Sequence, residues 1–114
     1  PGNNLFMVGG ATPGGWNNPV PVPSQQFTRL NASQFELTIA LTAGEKYLLL
    51  PNNGSWGEKF GVPDNGLAGV GNGGEIKYDG QDIPAPAVTG IYKVLVNFAT
   101  IENFPAGKFS AVKQ

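Results

Sequence analysis

Apolar residues in this chain arrive in short bursts, each closed off by glycine, proline or an Asn-Gly pair. Leu5-Phe6-Met7-Val8, stopped by Gly9-Gly10, predicts a first buried strand. A loop from Ala11 to Ser24 follows, and Gln26 to Leu30 is a candidate second strand. Phe35, Leu37, Ile39 and Leu41 alternate with Glu36, Thr38 and Ala40, which predicts a strand with one buried face. Thr42 to Glu45 makes a turn. Tyr47-Leu48-Leu49-Leu50 is apolar at consecutive positions, so both faces of that strand should be covered, and Pro51 ends it.

From Asn52 to Gly74 the chain reads as loop, with Asn-Gly pairs at 53–54, 65–66 and 72–73 suited to tight turns. Glu75 to Tyr78 is a short strand, and Asp79-Gly80 turns the chain. Asp82 to Thr89 carries Pro84 and Pro86 and should be extended without continuous pairing. Ile91 to Phe98 is the clearest strand, with Tyr92, Val94, Val96 and Phe98 on one face and Lys93 and Asn97 on the other. Lys108 to Val112 closes the chain as its hairpin partner across a turn near Pro105-Ala106-Gly107.

No stretch of ten residues has helical periodicity. Six to eight short strands at this spacing predict an all-β fold: an antiparallel β-sandwich of the immunoglobulin-like or carbohydrate-binding-module-like kind. The 114 residues suffice for one core, so residues 1–114 form a single domain. Seventeen glycines and ten prolines fit turns between strands rather than disorder, because the intervening segments are densely apolar. The chain opens on Pro1-Gly2-Asn3-Asn4, without methionine or a signal-like segment, as expected of a domain cut from a longer polypeptide.

Composition removes several chemistries. Without cysteine there is no disulfide framework or thiolate metal site, and without histidine no imidazole zinc site or nucleophile–histidine relay. Seven basic residues, scattered against eight acidic ones, make no cationic stripe for nucleic acid. No apolar run is long enough for a membrane helix. The run Gly9 to Gly15 lacks the lysine and hydroxyl of a phosphate loop, and Trp16 follows it instead. Asp79 with Asp82, and Glu58 with Asp64, are close enough in sequence to be tested against glycoside hydrolysis. That chemistry needs a deep cleft, and aspartates beside glycine are usually turn formers. No loop has calcium-ligand spacing. Asn31-Ala32-Ser33 and Asn53-Gly54-Ser55 match the N-glycosylation pattern. The expectation is a protein that is not an enzyme and carries no metal or cofactor.

The two tryptophans are the candidates for binding. Trp16 lies in Gly14-Gly15-Trp16-Asn17-Asn18 and Trp56 in Asn53-Gly54-Ser55-Trp56-Gly57. Either ring can cap an open end of the sandwich, with its N–H bonded to a loop carbonyl. Alternatively, small neighbours leave the indole face open to the C–H face of a sugar, whose hydroxyls need planar or charged partners. Asn17 and Asn18 flank the first ring; Asn52, Asn53, Glu58 and Lys59 flank the second.

These residues carry a family resemblance. Leu5-Phe6-Met7-Val8-Gly9-Gly10-Ala11-Thr12-Pro13-Gly14-Gly15-Trp16-Asn17 resembles the opening of the repeated domains in SusE/SusF-type proteins, starch-binding surface lipoproteins of Bacteroidetes. Ala43-Gly44-Glu45, Asn53-Gly54-Ser55-Trp56 with Lys59-Phe60-Gly61, Gly90-Ile91-Tyr92-Lys93-Val94, Asn97-Phe98 and Gly107-Lys108-Phe109 extend the match along nearly the whole chain. The resemblance implies a β-sandwich module, a single C-terminal copy, in a lipoprotein on the outer face of the cell outer membrane, anchored through an acylated N-terminal region outside this chain. It implies a polysaccharide partner, with α-glucan first, a TonB-dependent transporter and a glycan-capturing lipoprotein. Family sites pair aromatic platforms with a base, which maps to Trp16 and Trp56 with Lys59 or Lys46, assisted by Asn17 and Asn53. Members often continue Gly-Glu with Phe-Lys-Phe, whereas this chain reads Glu45-Lys46-Tyr47-Leu48-Leu49-Leu50. With no lysine inside the strand, the domain either takes another glycan or serves as a structural spacer without a ligand.

Overall fold

The computed structural model describes residues 4–98 and 106–114. Nine strands make up almost all of its regular structure: β1 (Phe6–Val8), β2 (Thr28–Arg29), β3 (Gln34–Leu41), β4 (Lys46–Leu50), β5 (Phe60–Gly61), β6 (Gly73–Tyr78), β7 (Ile83–Pro84), β8 (Gly90–Asn97) and β9 (Ala106–Lys113). A single 3-10 turn, Val70–Asn72, is the one helical element among the described residues. The antiparallel all-β expectation holds, with nine strands in place of six to eight.

The strands run β1-β4-β5-β6-β9-β8-β3-β2 in one antiparallel sheet, and β7 pairs with β4 beside that path. The sheet curls into a half-barrel whose two end strands meet the same segment. Residues 25–27 lie along β1, through Met7 N donating to Gln25 O at 3.0 Å and Phe27 N donating to Leu5 O at 2.8 Å. The next two residues, Thr28 and Arg29, pair with Glu36 and Phe35 of β3. One extended segment thus passes from one edge to the other, leaving little open edge for another chain.

Inside the curl, alternate residues of every long strand form one core. Phe35, Leu37, Ile39 and Leu41 from β3, Tyr92, Val94 and Val96 from β8, and Phe109 and Ala111 from β9 meet Tyr47 and Leu49 from β4 and Met7 from β1. The predicted faces of β3 and β8 are the observed ones. β8 carries Ile91, Lys93 and Leu95 outward, and Lys93 pairs with Glu36 on β3 at 3.3 Å.

One short strand falls where the sequence reads as loop, and another starts early. Phe60–Gly61 bridges β4 to β6, pairing Phe60 with Leu49 and with Tyr78. Two residues cannot establish a period, and only the apolar Phe60, buried against Phe98 at 5.3 Å between ring centroids, marks the position. β6 begins two residues earlier than Glu75, at Gly73 and Gly74, whose positive φ values no side chain favours. Ala106 and Gly107 already belong to β9. The predicted turn's other member, Pro105, lies outside the described residues.

β4 is buried on both faces, as its four consecutive apolar residues require. Tyr47 and Leu49 enter the main core, while Leu48 and Leu50 join Phe6 and Val8 of β1 in a second, smaller cluster on the outer face, covered by Val20. Each such side chain contributes roughly 1.5–3 kcal/mol by leaving water. Tyr47 is the exception to good accounting: it is fully buried, and its hydroxyl has no hydrogen-bond partner among the described residues. Burial pushes its phenol well above the ordinary range, so the group stays neutral and merely unsatisfied. Tyr47→Phe should therefore stabilise the fold by about 1 kcal/mol, raising the midpoint of thermal unfolding by a few degrees. A lowered midpoint would mean that the hydroxyl does have a partner.

Candidate functional site

The outer face of β1 and β4 would be bare hydrocarbon without a lid, and the glycine- and proline-rich stretch from Ala11 to Ser24 is that lid. Its first turn is drawn tight against β4. Ala11 N donates to Lys46 O at 3.1 Å, and a β-carbon on Gly9 would lie 2.3 Å from the same carbonyl oxygen, so only glycine fits there. Gln25 fixes the turn from beneath. Its fully buried side chain donates to Met7 O at 2.8 Å and Thr12 Oγ1 at 3.2 Å, and accepts from Gly14 N at 2.8 Å. The Thr12 hydroxyl donates to Gly9 O at 2.7 Å. Nothing in local pattern distinguishes Gln25 from a surface glutamine, and sequence reasoning passed over it.

The far end of the lid is tied to the loop after β4. Val20 N donates to Asn53 Oδ1 at 2.7 Å, and Asn53 Nδ2 donates back to Val20 O at 3.2 Å. Gly54 N donates to Asn18 Oδ1 at 2.7 Å. These cross-links bring together two tryptophans that lie 40 residues apart in sequence. The Trp16 and Trp56 ring centroids are 6.3 Å apart with planes inclined at 35°. That spacing is too long for face-to-face stacking. Each ring is close to half exposed, at 44% and 46%. Neither is the buried end cap that sequence left open as an alternative. Together they make a shallow, bent apolar platform on the outer face of the half-barrel.

The polar candidates divide by position. Lys46, exposed at the start of β4, stands on the same strand face as Leu48 and Leu50, the face the lid covers. Asn17, beside Trp16, is exposed and donates to Gly14 O at 3.0 Å, with no hydrogen bond to its carbonyl oxygen among the described residues. Asn53 is different: both ends of its amide are committed to Val20, so it builds the site rather than lining it. Lys59 is engaged with Asp79. That hydrogen bond is the main cause holding the Asp79 carboxyl below its usual range and raising Lys59. Because the acid's pKa is depressed, the pair is intact at neutral pH and, as pH falls, opens when acid protonates Asp79, below the pH at which a free aspartate titrates.

The other carboxylates serve the loops they occupy. Asp64 accepts from Gly66 N at 2.9 Å, and Glu58 accepts from Asn52 Nδ2 at 3.4 Å. Among the described residues, no three acidic groups converge to hold a metal ion. An open cleft of about 380 Å³, lined by Leu30, Leu95, Val96 and Phe109, contains no carboxylate. Another of about 430 Å³ contains Glu36 beside its partner Lys93. Neither has the facing carboxylates that glycoside hydrolysis requires.

Glu45 was not singled out by sequence reasoning. A β-carbon on Gly10 would sit 2.7 Å from Glu45 Oε1 and 3.2 Å from Trp16 Nε1, so both polar atoms lean over the bare backbone of that glycine.

No protein-family model matches the chain, and no curated protein matches it significantly.

Gln25 offers a direct check on how the platform is held. Gln25→Ala strands Met7 O and Gly14 N without their partner, at an expected cost of about 2–4 kcal/mol. Urea unfolding should show the midpoint falling accordingly, with Trp16 fluorescence shifting as its turn loosens. An unchanged midpoint would show that Gln25 does not hold the turn.

Proposed function

We propose that this domain is a non-catalytic carbohydrate-binding module, with Trp16 and Trp56 as its platform and an α-glucan as the first ligand to test. The observation that carries the proposal is the pair itself: two half-exposed indoles, side by side, cross-linked from separate loops and tilted by 35°. A large apolar surface exposed at the expense of water contact favours a ligand with a flat C–H face. The tilt favours a chain that curves between neighbouring sugars, as an α-linked glucan does, over a flat ribbon, which matches coplanar rings. Lys46, on the strand face the lid covers, and Asn17, next to Trp16 in sequence, are the groups offered to sugar hydroxyls, whereas Lys59 is occupied by Asp79.

So shallow a site binds in the millimolar to micromolar range, roughly −4 to −8 kcal/mol. Weak modules work by multiplicity. That suits the setting implied by the SusE/SusF resemblance: a lipid-anchored protein on the outer membrane surface, serving a TonB-dependent transporter and a glycan-capturing lipoprotein.

Native electrophoresis in gels loaded with amylopectin, pullulan, dextran or a β-glucan tests this proposal. Retardation by an α-glucan is expected. Trp56→Ala should abolish it without lowering the unfolding temperature, Lys46→Ala should weaken it, and Lys59→Ala should change it little. Unchanged mobility of the wild type in every gel would leave the spacer role as the better account, and release of reducing sugar would replace both with an enzyme.

A further inference from the structure

Resting on the carbohydrate reading of the tryptophan pair, we infer that Glu45 and the Trp16 indole N–H together bind one sugar hydroxyl, and that this makes the site selective for neutral glycans. The geometry comes from Gly10. The bare backbone of that glycine lets both atoms pack close to it: the point a β-carbon would occupy lies 2.7 Å from Glu45 Oε1 and 3.2 Å from Trp16 Nε1. The two atoms are thus no further apart than the sum of those distances. Neither has a hydrogen-bond partner among the described residues, and Glu45 makes no ion pair there.

The chemistry of the two atoms narrows what can join them. Indole Nε1 only donates and an ionised carboxylate only accepts, so a single group bridging both must accept one hydrogen bond and donate another. A hydroxyl does both, with its oxygen about 2.8 Å from each partner. A uronate carboxylate or a sulfate ester has no proton to give Glu45 and brings like charge against it. Glu58 adds a second negative charge on the loop beside Trp56, while Lys59, the nearest base in sequence, is neutralised by Asp79. Lys46 alone does not reverse that balance. Residue 10 does not need positive φ, but a β-carbon there would press on Glu45 Oε1 and push it away from the Trp16 N–H.

Binding of maltoheptaose and of polygalacturonate, measured by titration calorimetry and gel retardation, tests the inference. Wild type should bind maltoheptaose and ignore polygalacturonate. Glu45→Ala should weaken maltoheptaose about tenfold, the loss of a hydrogen bond to a charged acceptor, while Glu45→Gln, which keeps an acceptor oxygen, should lose less. Trp16→Phe keeps a stacking ring and removes the N–H. Combined with Glu45→Ala, it should cost clearly less than the two single losses together, since both atoms hold the same hydroxyl. Thermal unfolding of each variant excludes a folding defect as the cause. Wild-type binding lost in Trp56→Ala but unchanged in Glu45→Ala would overturn this inference and leave the carbohydrate module standing. Additive losses, or tight binding of polygalacturonate, would overturn it too. Failure of wild type to bind any of the gel-loaded glycans would overturn both.

Discussion

Strand β4 has no face that water can be allowed to touch. Tyr47 and Leu49 point into the core; Leu48 and Leu50 point out of it. In an ordinary antiparallel sheet the outward set would be polar, and the connection before it free to wander. Here Phe6 and Val8 of β1 add to the outward hydrocarbon, and five apolar side chains, counting Val20, form a cluster that only the Ala11–Ser24 loop can close. The placement of everything functional follows from that need for a lid. Trp16 is on the outer face because its loop must lie there. Trp56 meets it because the loop after β4 emerges at the lid's far end.

A lid assembled by backbone-to-side-chain hydrogen bonds differs from one assembled by packing alone. Gln25, Asn53 and Asn18 each tie a loop amide or carbonyl to a distant segment, and these bonds span from 11 to 36 residues of sequence. The indoles are consequently set side by side without help from a ligand. A platform already in its binding shape loses little conformational freedom when something stacks on it, which matters most where total affinity is small. The glycines contribute by letting the backbone pass close to β4, which keeps the lid thin and the tryptophans half out of it.

The architecture was legible in the sequence wherever a strand was long enough to show its period. Phe35 to Leu41 and Ile91 to Phe98 declare their buried faces, and the unbroken Tyr47 to Leu50 declares a strand covered on both sides. Two-residue strands declare nothing, since Phe60–Gly61 is defined by its neighbours Leu49 and Tyr78 rather than by any pattern of its own. The tryptophans stood out as candidates because glycines surround them, but whether they cap the sandwich or lie exposed was open, and their contact was not legible, because it is made by Asn53 and Asn18 acting across loops. Asn53 beside Trp56 looks like a sugar ligand until its amide is seen closed onto Val20. Lys59 looks like the base until Asp79 is seen to hold it. Glu45 is the opposite case: it reads as a turn residue, and only its three-dimensional proximity to Gly10 and Trp16 makes it a candidate.

Loop polarity is therefore a poor guide to ligand polarity in a fold of this kind. Short strands and long connections leave many backbone groups without ladder partners, and nearby asparagines, glutamines and aspartates are consumed in satisfying them. What remains for a ligand is whatever the loops did not need: two indole faces with their N–H groups, the side-chain oxygen of Asn17, and the charges of Glu45 and Lys46. That residue favours stacking over polar recognition. On the proposed carbohydrate reading, a site with so few free polar atoms discriminates mainly by shape and by the sign of charge.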